Sequence, residues 1–400
     1  MLDLMKIARQ MQGLSEHLAA ESVASRQRLE IAQKLMVEAT ARQQELVEIQ
    51  ERWRDRFIFS VPTPVEPLSS CIDIPVPPKV HTVIATDGSQ ISPSHHEIAY
   101  CYLINIGRVV FHYGQGRYPL LDSLPEVFYR PEDLYVSRQW GIRVEEWMGY
   151  RRTVSEAIAL AELVTSWVQS QKEGNFQVPT LAMVDGSLIY WFLESLPGDA
   201  CDRILPPILE AWEQIRLAEV PLIGYISASR STESLNLLRL QACPHSTPNC
   251  VVNCGDADEK KPPCQVFDNL RDPPFWLSIL KPGQRTPLWK STMRILNLYG
   301  ESQTIYFCYV HVGSEIARVE FPAWVAENST LLDRALSLML GQIQKGYGYP
   351  ISLSEAHNHA VVKGDDRARF FAFLEQQMIK AGLKNVGISY KETRKRGSIA

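Results

Sequence analysis

Two stretches of the 400-residue chain carry the same pattern, an apolar run closing on Asp-Gly-Ser: Val83-Ile-Ala-Thr-Asp87-Gly88-Ser89 and Leu181-Ala-Met-Val-Asp185-Gly186-Ser187. A carboxylate at the end of a buried strand is costly to desolvate unless it is paired or binds a cation. The glycine after it lets backbone approach a ligand closely. Asp-Gly is also a common turn dipeptide, and a single copy would read as well that way; the repeat on strands of similar composition favours a site. Hard divalent cations need several oxygen ligands, so two aspartates are too few. The helical stretch before the second strand offers Glu156 and Glu162, which lie about 600° apart around a helix and so face different ways. One of them can serve a site while the other stays in water.

A second constellation lies near the carboxyl end, where Tyr349, His357 and His359 fall within Gly346–His359 around a loop-to-helix junction. His357 could ligate a metal, position water or act as a general acid, and Tyr349 could hydrogen-bond a phosphate. The plainer alternative is a helix-start histidine bonded to backbone. Lys363 follows among mixed charges, and Arg230 sits among hydroxyls after an apolar strand, a composition suited to gripping phosphate. Arg285 and Arg318 are similar candidates, each as readily a salt-bridge partner. Cys243, His245, Cys250, Cys254 and Cys264 are zinc-ligand types without the paired Cys-x-x-Cys spacing that marks such sites, so the sequence favours uncommitted thiols over a structural zinc.

These residues need a framework. Residues 1–57 have no proline and are rich in helix formers, which predicts long helix, either a hairpin packed on the main body or a partner-binding coiled coil. Prolines 62, 64, 67, 75, 77 and 78 then mark residues 58–79 as a linker. Strands are expected over 80–86 and 98–111, helix over 139–171, strand over 180–185, helix over 202–217 and strand over 220–227. That is an α/β rhythm with an antiparallel opening. A Cys- and Pro-rich excursion at about 241–275 interrupts it; strands resume at 304–312 and 315–321, and helices close the chain at 329–345 and 366–381. The main domain is read as 80–390.

Composition narrows the classes. With 45% hydrophobic and 22% charged residues the chain reads as globular. Its 41 basic residues against 45 acidic ones exclude a globally basic grip on nucleic acid, not a local one. No run of about eighteen uncharged apolar residues and no secretory leader are evident, and eight scattered cysteines fit reduced thiols, so a cytoplasmic protein is expected. The loops of P-loop NTPases, Rossmann dinucleotide sites, α/β-hydrolases and zincins are missing.

Taken in order, strand-Asp87-Gly-Ser, helical Arg-Thr-x-x-Glu156, strand-Asp185-Gly-Ser-Leu, Tyr-Ile-Ser with Arg230, Pro-Gly-Gln-Arg, Arg318-Val-Glu-Phe-Pro-Ala-Trp, and Gly-Tyr349-Pro with Ala-His357 resemble the NurA-domain nucleases over about residues 80–385. The resemblance implies an RNase H-like mixed sheet flanked by helices, with residues 1–57 as a helical appendage. It implies a manganese-dependent (or magnesium-dependent) deoxyribonuclease trimming DNA ends in repair, as a 5'-3' exonuclease or single-strand endonuclease. A homodimer and a HerA-type hexameric helicase are the implied partners. Asp87, Glu156, Asp185 and His357 would hold metal with Tyr349 beside them, Glu162 remaining an alternative to Glu156, and Arg230, Arg318 and Lys363 would meet DNA. Two other readings compete: an ATPase or kinase of the actin-like fold, and a non-catalytic DNA-end or helicase adaptor.

Overall fold

The structure is a computed structural model that describes residues 3–93, 100–254 and 261–382. The start of the strand expected at 98, part of the excursion (255–260) and the end of the main domain (383–390) lie outside the described residues. In chain order the strands are β1 (Thr63–Pro64), β2 (Ile72–Asp73), β3 (His81–Ile91), β4 (Tyr102–Tyr113), β5 (Leu120–Phe128), β6 (Thr180–Asp185), β7 (Leu222–Ile226), β8 (Gln284–Arg285), β9 (Trp289–Lys290), β10 (Ile305–His311) and β11 (Ile316–Pro322). The helices of ten residues or more are α1 (Leu4–Ala41), α2 (Gln43–Trp53), α3 (Val144–Glu173), α4 (Leu205–Leu217), α5 (Ser329–Lys345), α6 (Ile351–Ala360) and α7 (Gly364–Lys380). Two compact units form from them, Met1–Ile74 with Ile226–Ala323 and Pro75–Tyr225 with Trp324–Ala400.

In the second unit the strand order is β7-β6-β3-β4-β5. β3, β6 and β7 run parallel, while β3, β4 and β5 form an antiparallel meander, which makes a mixed α/β sheet. Val83, Ile84, Ala85, Leu181, Ala182 and Met183 are fully buried, as a central strand covered on both faces requires. Pro125 lies within β5, tolerated because that strand is an edge. α3 carries Glu145 and Glu146 in its first turn and ends at Gly174; Pro206 and Pro207 preset the first turn of α4.

The other unit differs from its expected division into appendage and linker. Only Arg42 separates α1 from α2, and its backbone leaves the helix (φ −121°, ψ 20°), so no hairpin turn fits between them. Ala32, Met36 and Ala39 of α1 and Leu46 of α2 are buried in one core with Leu237, Leu238, Trp276, Trp289 and Phe307. Helix and strands here share a core, so α1 and α2 are integral to this unit. The proline-rich segment likewise supplies β1 against β9 and β2 against β8, held by Glu66, whose carboxylate pairs with Arg285 at 2.6 Å and accepts the Leu288 N–H at 2.7 Å.

Candidate active site

Strand register sets the first element of the site. Thr86 of β3 pairs in parallel with Val184 of β6, so the next residues on the two strands, Asp87 and Asp185, stand side by side. The two copies of Asp-Gly-Ser differ, however. Asp185 ends β6 and Gly186 follows at φ +121°, a conformation that suits glycine. Asp87, Gly88 and Ser89 do not form the strand-ending turn the sequence suggests, because β3 continues through them to Ile91, paired with β4.

Successive residues of a strand face opposite sides of the sheet, and β3 uses this to recruit two helices. On one side are Asp87 and Ser89. Asp87 Oδ2 accepts a hydrogen bond from His357 Nδ1 of α6 at 2.8 Å. Ser89 Oγ donates to the Ala360 carbonyl and accepts the Val362 N–H at 3.1 Å, and Asn105 Nδ2 donates to the same carbonyl at 2.8 Å. The last turn of α6 is thereby tied to the sheet. Gly107, opposite Asp87, faces the helix; a Cβ there would overlap the Ala356 carbonyl and lie 2.5 Å from the Ala360 nitrogen. On the other side is Gly88, where a Cβ would collide with Glu156 Oε1 and lie 2.7 Å from Arg152 Cγ, both of α3. Thr86 Oγ1 also donates to the Glu156 carbonyl at 3.1 Å. α3 and α6 therefore cover opposite faces, and each presents a site residue to β3, Glu156 at Gly88 and His357 at Asp87.

The electrostatics follow. Burial pushes the Glu156 carboxyl up to about 8; the Arg152 guanidinium, 3.2 Å away, opposes this, and the charges of Asp87 and Asp185 add to it. Asp185 is raised by burial, then lowered by the hydroxyl hydrogen bond of Tyr349 and raised again by Asp87. Burial and the Asp185 charge hold the Tyr349 phenol well above its ordinary range, so it donates to Asp185. Its ring meets that of Tyr225 edge-on at 5.6 Å. Three carboxylates so placed repel one another and favour protons or a cation among them. Among the described residues no three His, Cys, Asp or Glu side chains are drawn up into a closed metal cage.

Asp87, Glu156, Asp185, Tyr349 and His357 are thus brought together, and Glu162 is exposed. The three basic candidates part company. Lys363 is exposed just before α7, and Arg230 is exposed in the other unit, its carbonyl accepting from Arg271. Arg318 corrects the expectation of a DNA contact, because it is 3% exposed and locked between Glu233 and Glu320 at 2.8 Å each, its guanidinium 3.7 Å from the Phe307 ring. Arg285 is buried likewise against Glu66. Arg152 and Ser89 stand in motifs noted in the sequence but carried no assigned role there, and Asn105 and Gly107 were not singled out. Only Arg152, four residues before Glu156 on a helix, carried a signal that could have found it.

The fold and site define an α/β protein with a carboxylate site where its parallel strands end. The model of the NurA domain matches residues 81–362, and the chain belongs to the NurA domain family. Among solved structures, the crystal structure of the NurA nuclease from Sulfolobus solfataricus aligns with 87% of this chain and 98% of that chain, at 12% identity and a TM-score of 0.44. No curated protein matches the chain. Among the described residues no helix is long and apolar enough to cross a membrane.

Proposed function

We propose that the chain is a metal-dependent nuclease that hydrolyses phosphodiester bonds in DNA, with an RNase H-like catalytic core. The observation that carries this reading is the placement of Asp87 beside Asp185 by strand register, with Glu156 close enough for both to raise its pKa. Asp87, Glu156, Asp185 and His357 would hold the ion, and their mixture of oxygen and imidazole donors suits Mn²⁺, with Mg²⁺ as a second candidate. When bound, divalent metal supplies charge neutralisation at the phosphate and a nucleophilic water at neutral pH.

The chain's own residues do the rest. Arg152 pairs with Glu156, and the hydrogen bond from Tyr349 favours the ionised form of Asp185 against the effect of burial. His357 donates its Nδ1–H to Asp87, which leaves Nε2 of a side chain 61% exposed as the atom that would hold the ion. Lys363, six residues beyond His357, and Arg230 are proposed DNA contacts. Digestion of ends in the 5'-3' direction or within single strands, and action in repair beside a HerA-type hexameric helicase, follow from the family resemblance. The exposed apolar side chains Leu4, Met5, Met11, Leu14 and Leu18 along α1 give a homodimer or that helicase a surface to cover.

The test is end-labelled linear DNA incubated with the purified protein in Mn²⁺, Mg²⁺ or EDTA, beside Asp185→Ala. Digestion in Mn²⁺ that vanishes in EDTA and in the variant supports the proposal. Digestion that persists in either, or DNA left intact by the native protein with both metals, removes it.

A further inference from the structure

The cysteine-rich excursion gathers where its sequence spacing gave no reason to expect it. Cys243, Cys250, Cys254 and Cys264, four of the eight cysteines, line one small void of about 10 Å³ together with His245. That is about the least room one water needs. None of the four forms a disulfide. Cys250 opens the single turn Cys250–Asn253 and Cys254 closes it, its N–H bonded to the Cys250 carbonyl, and three intervening residues fall within the ligand spacing of structural zinc sites. Cys243 precedes Pro244, and its sulfur accepts the backbone N–H of His245, the kind of bond that stabilises a ligating thiolate. Arg239 Nη2 stands 3.9 Å from Cys264 Sγ, a cation beside the sulfurs, with its guanidinium 3.7 Å from the Phe59 ring.

The four sulfurs do not stand at closed ligand distances, and side-chain rotation would have to bring them to the roughly 2.3 Å that zinc–sulfur bonds require.

We propose that Cys243, Cys250, Cys254 and Cys264 bind one zinc ion as a structural Cys₄ site. The site joins both flanks of the excursion to the core holding Leu240 and Phe267, and it is independent of the carboxylate site. His245 contributes its backbone N–H and not its ring.

The experiment measures metal in the full-length protein, purified without chelator, by elemental mass spectrometry. About one zinc per chain is expected, retained in Asp185→Ala and His245→Ala and lost in Cys250→Ser and Cys264→Ser. Should the serine variants fail to fold, stepwise blocking of thiols in the native protein with a mercurial reagent serves instead, and zinc release should track sulfur modification. Cobalt exchanged into the site should show the ligand-field spectrum of a tetrahedral tetrathiolate ion. Zinc near zero in the native protein, zinc retained by the cysteine variants, or a disulfide joining two of the four would overturn the proposal.

Discussion

Glu156 concentrates the chemistry of the site in one group. Its carboxyl titrates near pH 8 in the folded chain, against an ordinary value near 4.5, because burial and two neighbouring aspartates disfavour its charge. A raised acid binds its proton more tightly when folded, so its contribution to stability is complete below pH 4.5 and is lost as pH climbs through 8. The metal-free protein should therefore lose stability across that window, at no more than about 1.4 kcal/mol per pH unit from this residue. Denaturant melts of Glu156→Gln should show the slope flattened, and an unchanged slope would contradict this account. Tyr349 acts in the opposite sense on its neighbour Asp185, and Tyr349→Phe removes that effect. Without the phenol's hydrogen bond Asp185 ionises at higher pH, so the acid limb of the pH–rate profile in Mn²⁺ should move toward alkaline pH.

Two glycines show how elements, and not only residues, build the site. At Gly107 an added methyl meets backbone of α6, which cannot swing aside; at Gly88 it meets the end of the Glu156 side chain and the stem of Arg152, side-chain atoms that can shift. Gly107→Ala should cost about 1–3 kcal/mol of stability and activity with it, since His357 rides on the displaced helix. Gly88→Ala should melt close to the native protein yet lose activity by about tenfold or more, as Glu156 is pushed from its place. Thermal melts read beside nuclease rates separate the two, and equal melting temperatures would refute the distinction. The tether from Ser89 and Asn105 to the end of α6 belongs to the same scale, for it converts sheet register into the position of an imidazole.

At the scale of the molecule, basic residues divide by burial. Arg318 stands within a buried network with Glu233, Glu320 and Tyr309, and Tyr309 also bonds Asp272 at 2.5 Å. Removing one member strands the rest, so Arg318→Ala should cost about 3–5 kcal/mol. In conditions where that variant remains folded, the salt dependence of its DNA binding should be unchanged. Lys363→Ala should instead leave stability intact and lower the slope of log affinity against log salt by about one. Filter binding at several salt concentrations measures both slopes, and a loss of slope in the arginine variant would return Arg318 to the DNA surface.

Much of this was legible in the residues themselves. Apolar runs leading to Asp87 and Asp185, the helix bearing Glu156 and the Tyr349–His357 step named residues that the fold brings together, because strand and helix periodicity are local properties of a chain. Folding alone could choose Glu156 over Glu162, since that depends on which helix face meets Gly88. It also moved Arg318 and Arg285 from candidate DNA contacts into ion pairs, drew α1 and the proline-rich segment into a common core, and brought four irregularly spaced cysteines around one void. Each of these outcomes turns on residues distant in sequence becoming neighbours, and burial, charge pairing and register between such residues are set by packing that local pattern does not encode.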